Sequence, residues 1–526
     1  MDAVARTGLL VQLRNYLDDV VTTTTFLTAQ SVRLDKAIEM IGFGKFHYYM
    51  LFICGTVYIA VSISLTSVSF IVPSAQCDFQ MTSFRKGFLN GASMIGMCIG
   101  SFIWGYISDS YGRRKALIFC MLMDGLFNLV SSVSQIYSVF IFCRMMSGFG
   151  VSGCTITYAY LGEFLNAKYR EKFLCWMEIF WTIGVILLPC IAWIIIPQTF
   201  RIESGFFLFR SWNLFVIICS LPSIITTCLL MLLPESPKYL LVKGKHEETL
   251  DCLRFVHRWN NKKTDQSFPV ISLTLPDRIS ETSKGFFSGM GKSLFELITS
   301  KYKTVLAITC IMQFCVTASY YMMMLWFPEL MNRLRWYETT YPSAQNKTTM
   351  CEVLSMYKVE PNALADVRCN DDIDGSVYLN ILIVGVACLP LCFIVPLYVN
   401  KLGLRFFLAT CLFGSGLTAV CLYYISSSME ILAFASVFEA LSSTGFGLIF
   451  CVAVELFPVE YTGLAVAIGS TFGKIGSIVG NVVVGIFIDA YCIVPIVVSC
   501  SFLLFSGFLI FTLPKTIRND SKGNEN

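Results

Sequence analysis

Charge is what this chain has least of. Asp, Glu, Lys and Arg make up only 14% of its 526 residues, where soluble domains carry roughly 25%. It also has no CxxC pair, no histidine cluster, no phosphate-binding glycine loop and no nucleophile set beside a base. Metal, redox and nucleotide chemistry therefore lack carriers, and the expectation is a non-enzyme with no metal and no cofactor. A net charge of +4 without a basic tract gives nucleic acid no footprint and leaves the lipid bilayer as the expected surroundings. Residues 1–46 contain no compact apolar run followed by small residues, so no signal peptide is expected and the first span serves as the inserting segment.

What is present is apolar length. Hydrophobic residues make up 55% of the chain, and runs of about 20 residues suffice to cross a bilayer. Such runs fall at 47–72, 87–107, 115–134, 137–161, 173–197 and 211–233, then at 303–331, 376–399, 404–425, 429–456, 463–488 and 492–513. The sequence predicts an all-α membrane protein of twelve transmembrane helices, too long individually for the strands of a barrel. Arg113, Arg114, Lys115, Lys168, Arg170, Lys172, Lys401 and Arg405 follow even-numbered helices. The positive-inside rule puts those loops, and with an even helix count both termini, in the cytoplasm.

Five segments follow from this reading: an N-terminal cytoplasmic stretch (1–46), a first six-helix bundle (47–233), a central cytoplasmic loop (234–302), a second bundle (303–513) with an outer or luminal loop at 332–375, and a tail at 514–526. Within the central loop, "KHEETLDCLRFVHRW" has a helical pattern. The outer loop holds an N-glycosylation pattern at Asn346, and Cys351 and Cys369, which an oxidising side would allow to pair. The remaining cysteines lie mostly in apolar helices, as small buried hydrophobes.

Two landmarks repeat. "GYISDSYGRR" and "PLYVNKLGLR" align Asp109 with Asn400, Gly112 with Gly403 and Arg114 with Arg405 at an offset of 291, and Glu163 meets Glu455 at an offset of 292. Paired six-helix repeats with sites between them mark secondary transporters working by alternating access. In the first copy Gly105 can admit a close helix neighbour, Asp109 can pair at the next helix start, and Arg113 and Arg114 can reach carboxylates or helix ends of the other half. Together with Gly112, Glu163, Arg170 and Glu455 they form an expected conformational latch.

These residues resemble the GxxxDxxGRR motif of the major facilitator superfamily. "RMMSGFGVSG" looks like its helix 4 motif, "GEFLNAKYR" like the continuation, and "PESPKYLLVKGK" like the segment after helix 6. "GFGKFH", "PSAQCD", "RSWNLFVIICSLPS", "SYYMMMLWFPEL" and "VELFPVEYTGLA" extend the resemblance to the synaptic vesicle glycoprotein 2 family from about residue 40 to residue 514. The resemblance implies a major facilitator fold of two six-helix bundles, and a solute carrier moving a small polar or charged organic molecule across a plasma or vesicle membrane. The alternative is a transporter-shaped protein acting by partner binding. Three departures stand out: an outer loop too short for that family's luminal domain, Val61 and Ser64 where its helix 1 carries acids, and Thr462 where its helix 10 motif has Arg.

Ionisable residues within spans are functional candidates by default. They are Asp124, Arg144, Glu178, Glu439 and Lys474. Asp124 and Arg144 sit at matching depth on a helical hairpin and are expected to pair, as a structural bridge or a proton site. Lys474 is expected to pair with Glu439 or Glu455, or to bind an anion. Glu178 and Trp181 share a helix face, and an acid beside an indole suits a cation; the alternative is that Glu178, near the cytoplasmic end of its helix, reaches the headgroups or Lys172. The resemblance implies aromatic pocket residues at Trp181, Tyr320 or Tyr321, and Phe446, with Phe450 at an acidic position of the family. The coupling ion is not legible.

Overall fold

In the computed structural model, residues 31–166, 169–170, 173–174, 176–204, 207–260, 270, 272–274, 299, 302–340, 351, 373–424, 428–457 and 459–514 are described. Among them, twelve long helical rods carry the fold. The first six are α1 (Lys45–Ser74), α2 (Ser83–Tyr111), α3 (Arg113–Ser131), α4 (Tyr137–Gly162), α5 (Met177–Ile195) and α6 (Ser211–Leu230). The second six are α7 (Lys303–Thr340), α8 (Gly375–Ala387 continued by Leu389–Leu402), α9 (Leu404–Tyr424), α10 (Ser428–Leu456), α11 (Val459–Phe487) and α12 (Ile493–Thr512). Ten are apolar and long enough to span a membrane unaided, and α2 qualifies if its 43° bend is one span. The charged start of α3, Arg113 to Lys115, makes it the most polar of the twelve. Helix α7 runs to Thr340, nine residues past the apolar run that predicted it.

Backbone polar groups cannot be left bare in hydrocarbon, so the helices satisfy them internally and pack through small residues. The contact of α2 with α4 shows this at its tightest. A Cβ added at Gly148 would sit 2.0 Å from the Ser93 carbonyl oxygen, and one at Gly96 would sit 1.8 Å from that of Met145. Both obstacles are backbone, so Gly148→Ala must push the two helices apart. The expected cost is about 1–3 kcal/mol, read as a lower melting temperature in detergent.

That close approach corrects one expectation. A Cβ added at Gly105 would meet nothing within 4 Å, because this position faces open space; Gly96 and Gly100 are the glycines of α2 that meet α4. The repeat itself is visible in the backbone. Gly112 and Gly403, aligned in sequence, both take positive φ, 115° and 86°, where a side chain would be strained. Each is followed by an arginine that binds the carbonyls ending the last helix of its own half. Arg114 holds Leu230 O (3.3 Å) and Met231 O at the end of α6, and Arg405 holds Leu513 O (3.1 Å) and Pro514 O after α12. A cation at a helix C-terminus is favourable there.

Around this latch end lies a small polar layer. Helix His246–Asn260, which covers the predicted helical stretch, packs with Pro237–Val242 and Leu34–Ile41, and Ser31–Arg33 pairs in parallel with Ser272–Thr274. Asn260 holds the start of α1 by accepting from Phe46 N (3.1 Å) and donating to Gly42 O (3.0 Å).

The opposite end carries a disulfide, and its partner differs from the expected one. Cys351 bonds Cys492, in the turn between α11 and α12, with Cα atoms 5.4 Å apart. Cys369 lies outside the described residues, as does Asn346. Cys77, at the same end after α1, is disulfide-bonded too. Non-reducing peptide mapping should recover a Cys351–Cys492 crosslinked peptide, and Cys492→Ser should lower stability by about 2–4 kcal/mol.

Candidate functional site

The latch residues assemble, but within one half. Arg113 bonds Ser108 Oγ (2.6 Å) and the Asp109 carboxylate and lies 3.6 Å from Glu163. Glu163 also accepts from Ser236 Oγ. Arg114 N donates to Glu235 (2.9 Å), Tyr239 Oη donates to Ser110 O (3.0 Å), and Arg170 donates to Gly162 O (3.0 Å) and Leu165 O (3.2 Å). Every one of these partners belongs to α2–α4, the turn after α4 or the segment after α6. The expectation that Arg113 and Arg114 bridge to the second half is corrected: their reach is taken up by Glu163, Glu235 and the α6 carbonyls, which lie closer. The side chain of Glu455 lies outside the described residues.

Asp124 and Arg144 share a network without forming a direct ion pair. Asp124 Oδ1 accepts from Ser64 (2.7 Å), Ser147 (2.6 Å) and Asn128 (2.8 Å), and Oδ2 accepts from Ser223 (2.5 Å). Arg144 donates to Asn128 Oδ1, Ser64 O (2.6 Å) and Ser67 Oγ (3.1 Å). Asn128, with an acceptor on one side and a donor on the other, stands between the two charges. The carboxylate absent from α1 is thus supplied by α3 and lands against Ser64, tying α1, α3, α4 and α6 together. Only Arg144 Nε is left without a described partner, and a buried polar network satisfied to this degree holds a bundle in one arrangement.

Of the two acids expected for Lys474, Glu439 is not its partner, and the side chain of Glu455 lies outside the described residues. Lys474 is 7% exposed, and its described hydrogen-bond partner is Ser101 of α2 rather than Glu439. The reason is placement: Lys474 faces α2 across the join of the halves, with Cys98 and Cys154 nearby, whereas Glu439 on α10 faces Tyr320.

A cluster of rings and two acids fills the middle of that join. From the first half, Tyr58 and Tyr158 meet edge-on at 5.2 Å, and Tyr158 Oη donates to Glu178 Oε1 (2.9 Å). From the second, Tyr320 stacks on Phe446 at 5.6 Å, Tyr321 meets Tyr320 at 5.0 Å, and Phe450 meets Phe446 edge-on at 5.4 Å. Tyr320 lies beside both Trp181 and Glu439, between α5 and α10. Gly447 of α10 comes within 4.0 Å of the Glu178 carboxyl carbon when given a Cβ. Glu178 is surrounded by protein, yet much of its own surface is open to the space between the halves. The structure therefore brings Glu178, Trp181, Tyr320, Tyr321, Phe446, Phe450 and Glu439 to one place, and adds Tyr58 and Tyr158, which sequence reasoning missed.

Toward the disulfide end the halves are joined by an ionic cluster that the sequence reading also missed. Lys86 of α2 bonds Glu329 of α7 (2.6 Å) and Gln76 (2.7 Å), and Arg333 bonds Glu329 (2.8 Å), Asp489 (2.8 Å) and Ser83 (3.3 Å). Lys86, Glu329 and Arg333 are 3%, 2% and 3% exposed. Glu329 and Arg333 are one helical turn apart, a spacing that signals an ion pair. Nothing in the sequence marks Lys86 as their third member.

Residues 46–340 match the family model described as "Sugar (and other) transporter". Synaptic vesicle glycoprotein 2B of Mus musculus is 24% identical over 583 aligned residues, covering 92% of this chain and 85% of that protein. Synaptic vesicle glycoprotein 2C of Homo sapiens is 36% identical over 251 residues, 46% of this chain and 34% of that one. Among solved structures, the inward-open xylose transporter XylE from E. coli superposes with a TM-score of 0.65 at 14% identity, covering 90% of this chain and 97% of XylE. At that identity the likeness concerns the fold.

Proposed function

The chain belongs to the sugar (and other) transporter family and is a multi-pass membrane solute transporter, and from that premise we propose that its solute is a small organic cation. The observation that carries the reading is Glu178: an acid open to the space between the halves, with one described hydrogen bond, beside Tyr58, Tyr158, Trp181 and Tyr321. A carboxylate gives a cation its charge partner, and electron-rich ring faces add attraction once water is displaced. The disulfide end faces outside or a lumen, both termini face the cytoplasm, and solute enters by alternating access. Coupling, if any, is to a gradient.

Thermal stabilisation of purified protein by a panel of ammonium ions, sugars and organic acids tests this. A cation at 100 times its dissociation constant should stabilise by about 2.7 kcal/mol, and Glu178→Gln should remove the effect. A second reading, a neutral sugar, is favoured by Gln313 of α7. It is 2% exposed, and neither end of its side-chain amide has a described protein partner. Stabilisation by sugars that survives Glu178→Gln and is lost in Gln313→Leu would select that reading.

A further inference from the structure

We propose that a partly open cavity on the disulfide side of the aromatic cluster receives a hydrocarbon arm of the transported cation, so that the solutes are amines carrying an apolar substituent. The assignment builds on the cation reading above and makes it more specific. The cavity measures about 100 Å³, several times the roughly 10–15 Å³ that a single water needs. Its walls come from both halves and include Phe70, Leu188, Met322, Trp326, Glu439 and Val484.

Position connects it to the cluster. Leu188 follows Trp181 by seven residues, Trp326 follows Tyr320 by six, and Glu439 precedes Phe446 by seven. Met322 and Val185, two and four residues past Tyr320 and Trp181, line its near end, so the cavity adjoins the rings, and at 1.5 Å per residue its wall reaches about 10 Å beyond them at Trp326 and Leu188. Pro328, next in sequence to Glu329 of the ionic cluster, is part of its wall. Glu439 is the acid on its wall and lies beside Tyr320, which places the negative end of the compartment toward the cluster.

The chemistry of the lining selects the ligand. Of its hydroxyls, Thr66 is committed to Ser62 O (2.7 Å) and Ser69 to Thr66 O (2.8 Å). A sugar ring placed here would leave most of its hydroxyls unmatched, at a cost that an alkyl or aryl arm does not incur. Methionine adapts its shape to such an arm. One polar handle remains: Trp326, 1% exposed, has an indole Nε1 with no described protein acceptor, which suits a single ether or carbonyl oxygen on the arm. An amine head between Glu178 and Glu439 with its arm among these side chains matches the polarity of the whole path.

The experiment measures dissociation constants of methyl-, butyl-, hexyl- and octylammonium and the matching 1-alkanols on detergent-purified full-length protein. Affinity should rise about four-fold per methylene until the cavity is filled and then level off. Val484→Phe should flatten the series, and Leu188→Ala should move the levelling point to longer chains, so the assignment survives a failure of either variant to fold. Alkylammonium binding with no dependence on chain length, or a dependence identical in both variants, overturns the cavity assignment and leaves the cation reading standing. Alkanols that show the slope and respond to the variants while ammonium ions fail to bind would sink the cation reading and keep the apolar compartment. Absence of any length dependence in both series overturns the assignment.

Discussion

Replacing Glu329 with glutamine should open the disulfide end of the transporter, and replacing Lys86 with methionine should do so to a lesser degree. The four charges at this end balance: Lys86 and Arg333 against Glu329 and Asp489. Glu329 is shared by both cations, so its neutralisation leaves two like charges buried side by side. Breaking a buried ion pair by removing one partner costs about 3–5 kcal/mol, and here the cost falls on the closed arrangement, because water can reach these groups once the halves part. The closed population should fall by roughly two to three orders of magnitude. With Lys86→Met, Glu329 keeps Arg333 and the effect sits at the low end of that range. Ser69, 4% exposed on the cavity wall below the cluster, supplies the reporter position. Ser69→Cys should react with a membrane-impermeant maleimide from outside when combined with Glu329→Gln, resist it in the parent, and resist it again with Lys86→Arg. Equal protection in Glu329→Gln and the parent would mean that the ionic cluster does not hold this end shut.

Glu178→Gln should weaken binding of an organic cation by about 100-fold. Two unit charges 4 Å apart interact by about 4 kcal/mol at an effective dielectric constant of 20, and partial solvation of an open site reduces that to the equivalent of two decades. Glu178→Asp keeps the charge but withdraws it by one methylene from Tyr158 and the rings, and should fall between parent and glutamine variant. Tyr158→Phe removes only the donor that positions the carboxylate, so its effect should be several-fold. A glutamine variant that binds cations as the parent does would move the site elsewhere.

The features legible in the sequence are those governed by local rules. Apolar length defines the helices, Gly112 and Gly403 mark the left-handed turns of the repeat, and the three-residue spacing of Glu178 and Trp181 puts them on one face. What was not legible depends on which helices become neighbours. Asp124 and Arg144 matched in depth, but Asn128 stands between them, a placement set by the rotation of α3. Lys474 pointed to an acid in sequence and reached a serine of the other half. Cys351 paired with a cysteine 141 residues away, which loop spacing does not encode, and Gly105 faces open space because α2 and α4 converge at Gly96 and Gly100. Lys86 carries no local sign of its role, since its partners lie 243 and 10 residues away.

The most direct measurement is uptake of a labelled tetraalkylammonium ion and of labelled xylose into proteoliposomes, comparing the parent with Glu178→Gln. Saturable cation uptake that the glutamine variant loses is expected, with xylose at the level of empty vesicles. Saturable xylose uptake undiminished by Glu178→Gln, with no cation uptake, would refute the cation site.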